Sequence, residues 1–395
     1  MPIEPLDYHL EMIRHLQRQE PDLWKWFSAD RLRQQQNEAA RLDLLKTTYR
    51  IEPDANPPLY AAAALVSAVL GLAAPITCYQ SQSVSGLNAS LAYMPGEAHL
   101  VLVGPVLSTL TDVELRAVLG HELLHFAMLD RWRDYMIAAQ VLAAMSNDAA
   151  AQSCHIASAR LFKLYTEVCC DRGAYLASRD LNATITALVK IETSTTDVSA
   201  ESYLRQADEI FAKGHPRAEG VTHPETFIRA KAIKLWVDQP HMAAMEIRRV
   251  IEGPLALEEL DLLGQQQVCG LSRRLINKIL QPQWLQTEAT LAHTKLFFED
   301  FELGADGDRQ IIAELSDADD KIRDFACYLL LDFATADRDL EEAPLAAMLL
   351  LSDELGLGER FRQLTAKELN LRKKQMQALE TDASRIVAEA AKGED

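Results

Sequence analysis

Apolar residues recur at helical spacing through most of this chain, and the clearest run is Val113, Ala117, Val118, Leu124 and Met128. Thr111-Asp112-Val113-Glu114 opens it as a capping box, with Thr111 at the N-cap and Glu114 at the third helical position. Further helical runs cover Leu161 to Ser178 and Leu181 to Thr195. The pattern changes between 76 and 103. There Ile76 to Val84, Leu87 to Met94 and Ala98 to Val103 read as short strands, separated by Gly86 and by Pro95-Gly96. They predict a small antiparallel sheet feeding the capped helix.

Upstream, residues 59–73 predict an Ala-rich helix, after the punctuation of Pro53, Pro57 and Pro58. Residues 1–55 predict a polar helical segment with Trp24, Trp26 and Phe27 as anchors. Within it, Ala29 to Tyr49 reads as an amphipathic helix docking on the core, with a partner-binding arm as the alternative. Downstream, Gly253-Pro254, Gly264 and Gly270 break a helical linker region over 241–310, which ends in an exposed acidic loop at 304–308. Residues 311–395 predict a separate helical module with a charged tail. The expected divisions are thus 1–55, 56–240, 241–310 and 311–395.

Candidate chemistry sits in the capped helix, as His121-Glu122-Leu123-Leu124-His125. Positions i and i+4 share a helix face, so both imidazoles can reach one metal ion. Glu122 lies beside them and can accept a proton from a water that the metal acidifies. Two histidines in a buried helix without a metal would be costly. A third protein ligand is needed, and the Leu161–Ser178 run offers Glu167 and Asp171, again i and i+4. One carboxylate can bind zinc while the other holds a histidine N–H.

Four motifs in order now carry a resemblance: Asn88-Ala89 on a strand, His121 to His125, Glu167 with Asp171, and His223-Pro224 followed by Arg229. The stretch from about Ala61 to Arg229 resembles the zinc metallopeptidases that include HtpX and the CAAX prenyl endopeptidases. The resemblance implies a mostly helical, gluzincin-type α+β core with a small antiparallel sheet. It implies Glu167 as third zinc ligand, Glu122 as general base, and Asn88 and Ala89 beside the substrate. It also places His223 near the zinc, either stabilising the oxyanion or occupying the open position in a latent enzyme. Arg229 would anchor that loop or Asp171. Plainer readings stand beside these: Asn88 as a turn residue, His223 as a loop residue, Arg229 as a surface charge. His215-Pro216 competes for the His-Pro position but fits the spacing to arginine less well.

Around Phe325 to Gly358, two apolar helices flank Ala336-Asp337-Arg338-Asp339-Leu340-Glu341-Glu342. That order resembles TerB-like helical domains and predicts an all-helical C-terminal domain, a candidate site for a regulatory protein partner. Asp339 with Glu342 reads as a helix cap box in preference to a metal site.

A net charge of −18 argues against nucleic acid as the main partner. Six cysteines without a C-x-x-C pair fit a reducing compartment. The N-terminus lacks a signal-peptide pattern, and no apolar run reads as a membrane span. The expectation is a soluble, cytoplasmic zinc endopeptidase acting on protein or peptide substrates. The rival is a catalytically silent peptidase fold that recruits partners through its C-terminal module.

Overall fold

The capped helix forms as its sequence requires: Glu114 N–H donates to Thr111 Oγ1, and Thr111 N–H donates to Glu114 Oε2 at 2.8 Å. The computed structural model describes residues 3–29, 33–83, 86–214, 216–304 and 308–392. They divide into two compact units, Met1–Gly253 and Pro254–Asp395.

The first unit begins with α1 (Asp7–Gln19), α2 (Pro21–Ser28), α3 (Arg33–Thr47), β1 (Thr48–Ile51) and α4 (Pro57–Leu70). Then come β2 (Ile76–Ser81), β3 (Asn88–Met94) and β4 (Glu97–Val103), followed by the short α5 (Val106–Thr109). The capped helix is α6 (Asp112–Arg131), and α7 (Arg133–Asn147) leads to the long α8 (Ser153–Ser178). The unit closes with α9 (Leu181–Thr193), α10 (Ala200–Ala212), α11 (Thr226–Asp238) and α12 (Pro240–Glu252). The mostly helical α+β class matches the expectation.

Two details of the sheet differ from it. The strand order is β1-β2-β4-β3, and β2 pairs with β4 in parallel, so the sheet is mixed. Local turns suggest neighbour-to-neighbour pairing. Instead the chain leaves β2 for the far edge, and the Pro95-Gly96 turn, with Gly96 at φ +77°, folds β4 back into the middle. The second difference is β1, which falls inside the segment expected to be helical and pairs antiparallel with β2. Thr48, Tyr49 and Ile51 favour a strand wherever a partner edge is free. As a result β3 has a neighbour on one side only among the described strands.

Helices α6 and α8 meet at Gly120 and Gly173. A Cβ on Gly120 would lie 2.5 Å from the Ala177 methyl and 2.6 Å from the Gly173 carbonyl oxygen. A Cβ on Gly173 would lie 2.7 Å from the Gly120 oxygen and 2.8 Å from Leu124 Cβ. The two backbones therefore touch directly, one residue before His121 and two residues after Asp171. Leu119, Leu123, Phe126 and Met128 bury the remainder of α6. The start of α6 is tied to α9 by Lys190 Nζ, which donates to the buried Glu114 carboxylate at 2.9 Å.

The second unit is all-helical: α13 (Leu262–Ile279), α14 (Glu288–Phe297), α15 (Asp308–Asp317), α16 (Asp320–Thr335), α17 (Ala343–Glu354), α18 (Gly358–Glu368) and α19 (Lys373–Ala390). Leu271, Leu275 and Ile276 of the expected linker join Ile322, Leu330 and Phe361 in one core. The cap box expected at Asp339 and Glu342 is not made. Glu342 is the N-cap without a side-chain hydrogen bond, and Pro344 in the first turn supplies the helix start instead.

In an ordinary helix, Gly→Ala stabilises by about 1 kcal/mol. At this crossing the sign should invert: Gly120→Ala is expected to cost about 1–3 kcal/mol through overpacking, read as a lower midpoint in urea unfolding.

Candidate metal centre

One helical turn separates His121 from His125 on α6, and the crossing brings Glu167 of α8 against both. His121 Nε2 lies 3.2 Å from His125 Nε2 and 3.2 Å from Glu167 Oε2, and His125 Nε2 lies 3.4 Å from Glu167 Oε1. Tetrahedral zinc with bonds of 2.0–2.2 Å has ligand–ligand edges of about 3.3–3.5 Å. Among the described residues, this is the group of histidine, cysteine and carboxylate side chains arranged to hold a metal ion.

The hydrogen bonding around the group fits a cation. Asp171 sits one turn after Glu167, and its Oδ1 lies 3.0 Å from His121 Nδ1. Assigning the Nδ1 proton to that bond turns the Nε2 lone pair toward His125 and Glu167. Glu167 Oε2 is sealed from solvent without a well-directed hydrogen bond. Donor atoms of two histidines and one carboxylate thus converge on one point.

The charge balance points the same way. Arg229, from α11, is only 5% exposed and grips Asp171 with two bonds, Nε to Oδ2 at 2.9 Å and Nη2 to Oδ1 at 2.7 Å. Its Nη2 is 3.7 Å from Glu167 Oε2. This is a buried clamp, and the reading of Arg229 as a surface charge is overturned. One arginine leaves a second buried carboxylate to be balanced. That field acts on the rings. Burial opposes charge on His121, but Asp171 and Glu167 outweigh it and raise its pKa to about 10. His125, for which burial dominates, falls to about 4. Burial works against the Glu167 anion too, yet the two histidines and Arg229 hold its pKa far below the usual carboxylate range.

Glu122 faces the same cleft from α6. Burial first, then the Glu167 charge, push its pKa up to about 7 against the opposing pull of His121 and Arg229. A backbone hydrogen bond from Leu91 connects it to β3. A carboxylate near pH 7 is suited to taking and returning a proton.

The cleft has a volume of about 380 Å³. Asn88, Ala89 and Leu91 of the edge strand line one side, and Leu188, Ile191 and Ile233 form an apolar wall on the other. Asn88 Oδ1 accepts from the N–H of Ala89 at 2.9 Å. His223 reaches the site from the loop before α11, half exposed, with Nε2 3.4 Å from Glu167 Oε2. The competing His215 lies outside the described residues.

Residues 61–237 match the model of Peptidase family M48. The matched segment contains every residue of the centre, from Asn88 to Arg229, and it supports a metallopeptidase of the HtpX and CAAX type. No curated protein and no solved structure matches the chain. No described helix is long and apolar enough to cross a membrane.

Sequence reasoning passed over Glu192, whose carboxylate lies 3.5 Å from Arg229 Nη1 on the cleft wall, because nothing local marks it. It also passed over Gly120 and Gly173, although glycine inside a strong helical pattern is itself a signal of close approach.

For a zinc ion held by His121, His125 and Glu167, Asp171→Asn should weaken binding about 10–100-fold, measured by competition with a chromophoric chelator, because the imidazole loses its orienting carboxylate. Zinc must also displace the proton held on His121. Affinity should therefore rise about tenfold per pH unit between pH 6 and 9, with about one proton released in calorimetry across buffers of different ionisation heat.

Proposed function

We propose that this chain is a zinc-dependent endopeptidase. The observation that carries the reading is the convergence of His121, His125 and Glu167 at zinc-like spacing beside the buried carboxylate of Glu122. In this reading those three residues hold the metal, Asp171 fixes the His121 ring, and Arg229 balances Asp171. A bound zinc ion would supply a Lewis acid for the scissile carbonyl and lower the pKa of water.

The rest is the work of the chain's own groups. Glu122 accepts the proton of the attacking water on its carboxylate and returns it to the departing amine nitrogen. An extended substrate adds to the free edge of β3, where Asn88 and Ala89 face the cleft, and main-chain hydrogen bonds give tolerance of side-chain sequence. The apolar wall of Leu188, Ile191 and Ile233 receives a side chain next to the scissile bond.

His223 supports two versions of this function. With Nε2 at 3.4 Å from Glu167, it is placed to stabilise the oxyanion or to close the centre until it is displaced. The effect of His223→Ala on turnover separates them: a fall of about 10²-fold for oxyanion stabilisation, a rise for a latent enzyme.

Glu122→Gln should retain zinc, measured by elemental analysis, while casein cleavage falls by about 10²–10⁴-fold. Cleavage at the wild-type rate in that variant would remove the general-base role.

A further inference from the structure

The loop that carries His223 is held by two side chains that take no part in the centre itself. Arg160 lies on α8, seven residues before Glu167 and so about two turns away on the same face. Its Nε donates to the Gly220 carbonyl at 2.8 Å, and its Nη2 donates to the Ala218 carbonyl. From the other end of the loop, Glu225 Oε1 accepts the N–H groups of Glu219 at 3.0 Å and Gly220 at 2.9 Å. Ala218 N–H is further bonded to Val250 O of α12 at 2.8 Å.

These bonds fix the backbone at Gly220, and Gly220 in turn fixes His223. A Cβ at Gly220 would lie 1.9 Å from the His223 carbonyl oxygen, so the two backbones are in direct contact. Thr222 Oγ1 sits 2.9 Å from His223 Nδ1, leaving Nε2 as the ring atom that faces Glu167. The segment 216–225 without such ties would have many conformations to lose on ordering. Here its backbone at Ala218 and Gly220 is anchored to the helix that also bears Glu167, which ties the position of His223 to that carboxylate.

We infer that Arg160 and Glu225 are positioning residues that set His223 against the metal centre. This rests on the proposed zinc peptidase reading and deepens it. Arg160 and Glu225 act only through the loop backbone, so their loss should reproduce the loss of His223, whichever sign that has. A displacement of about 1 Å is enough to change a rate about 10²-fold.

The test uses the full chain with cobalt(II) in place of zinc, whose visible spectrum reports coordination geometry. It is read together with metal content and steady-state cleavage of casein by the zinc form. His223→Ala is expected to change the spectrum and kcat. Arg160→Ala and Glu225→Ala should give the same spectral change and move kcat in the same direction, about tenfold or more, at unchanged metal content. Glu225→Gln retains an acceptor oxygen and should restore wild-type behaviour. Adding Arg160→Ala to His223→Ala should have no further effect. The inference is overturned if the Arg160 and Glu225 variants keep the wild-type spectrum and kcat, or if their effects add to that of His223→Ala. It is overturned along with the His223 reading beneath it if His223→Ala, metal bound, changes neither. Circular dichroism guards against unfolding, and should Arg160→Ala fail to fold, the comparison of Glu225→Ala with Glu225→Gln decides alone.

Discussion

The contact on which everything else rests is the one between two helix backbones at Gly120 and Gly173. α6 supplies His121, Glu122 and His125, and α8 supplies Glu167 and Asp171. Two rigid elements carry all five groups, and the gap between those elements is as small as two backbones permit. Side chains of ordinary length then converge without strain. Had the crossing been padded by even one methyl group, the helices would stand farther apart and the 3.2–3.4 Å spacing of the two imidazole nitrogens and the two Glu167 oxygens would open. Glycine in a helix costs about 1 kcal/mol against alanine, and here that cost is offset by the packing it allows.

Electrostatics adds a second constraint. Burying Asp171 and Glu167 together would be prohibitive without compensation, and among the described residues one buried arginine, Arg229, reaches them. Arg229 satisfies both oxygens of Asp171 and just grazes Glu167. The remainder of the negative potential is directed at two imidazoles from a helix that could have carried any residues there. That potential raises the pKa of His121, whereas burial lowers the pKa of His125 against it.

Much of this was legible from sequence because it is local. The Thr111 cap, the i, i+4 pair of His121 and His125, and the i, i+4 pair of Glu167 and Asp171 are each contained in a few residues, and each folds as its spacing dictates. What was not legible is non-local. The parallel pairing of β2 with β4 and the recruitment of β1 depend on which edges are free, which no short stretch encodes. The burial of Arg229 depends on a carboxylate 58 positions away. Arg160 is hidden for a related reason: its partners are carbonyls 58 and 60 positions away, and a backbone oxygen carries no trace in the sequence. At Asp339 and Glu342 a local rule was outweighed by another, since Pro344 pre-forms the first turn without a side-chain cap.

The clamp from α11 bears on how such a protein comes into being. The order of synthesis runs from α6 to α8 and only much later to α11, so a growing chain displays the H-E-x-x-H helix and both acids well before residue 229 exists. Until then Asp171 lacks its arginine, and packing α8 against α6 would bury two carboxylates with His121 and His125 as their partners. The crossing is thereby discouraged from closing early. Closure of the crossing is coupled to a helix made late in the first unit, and the geometry of the centre depends on its arrival.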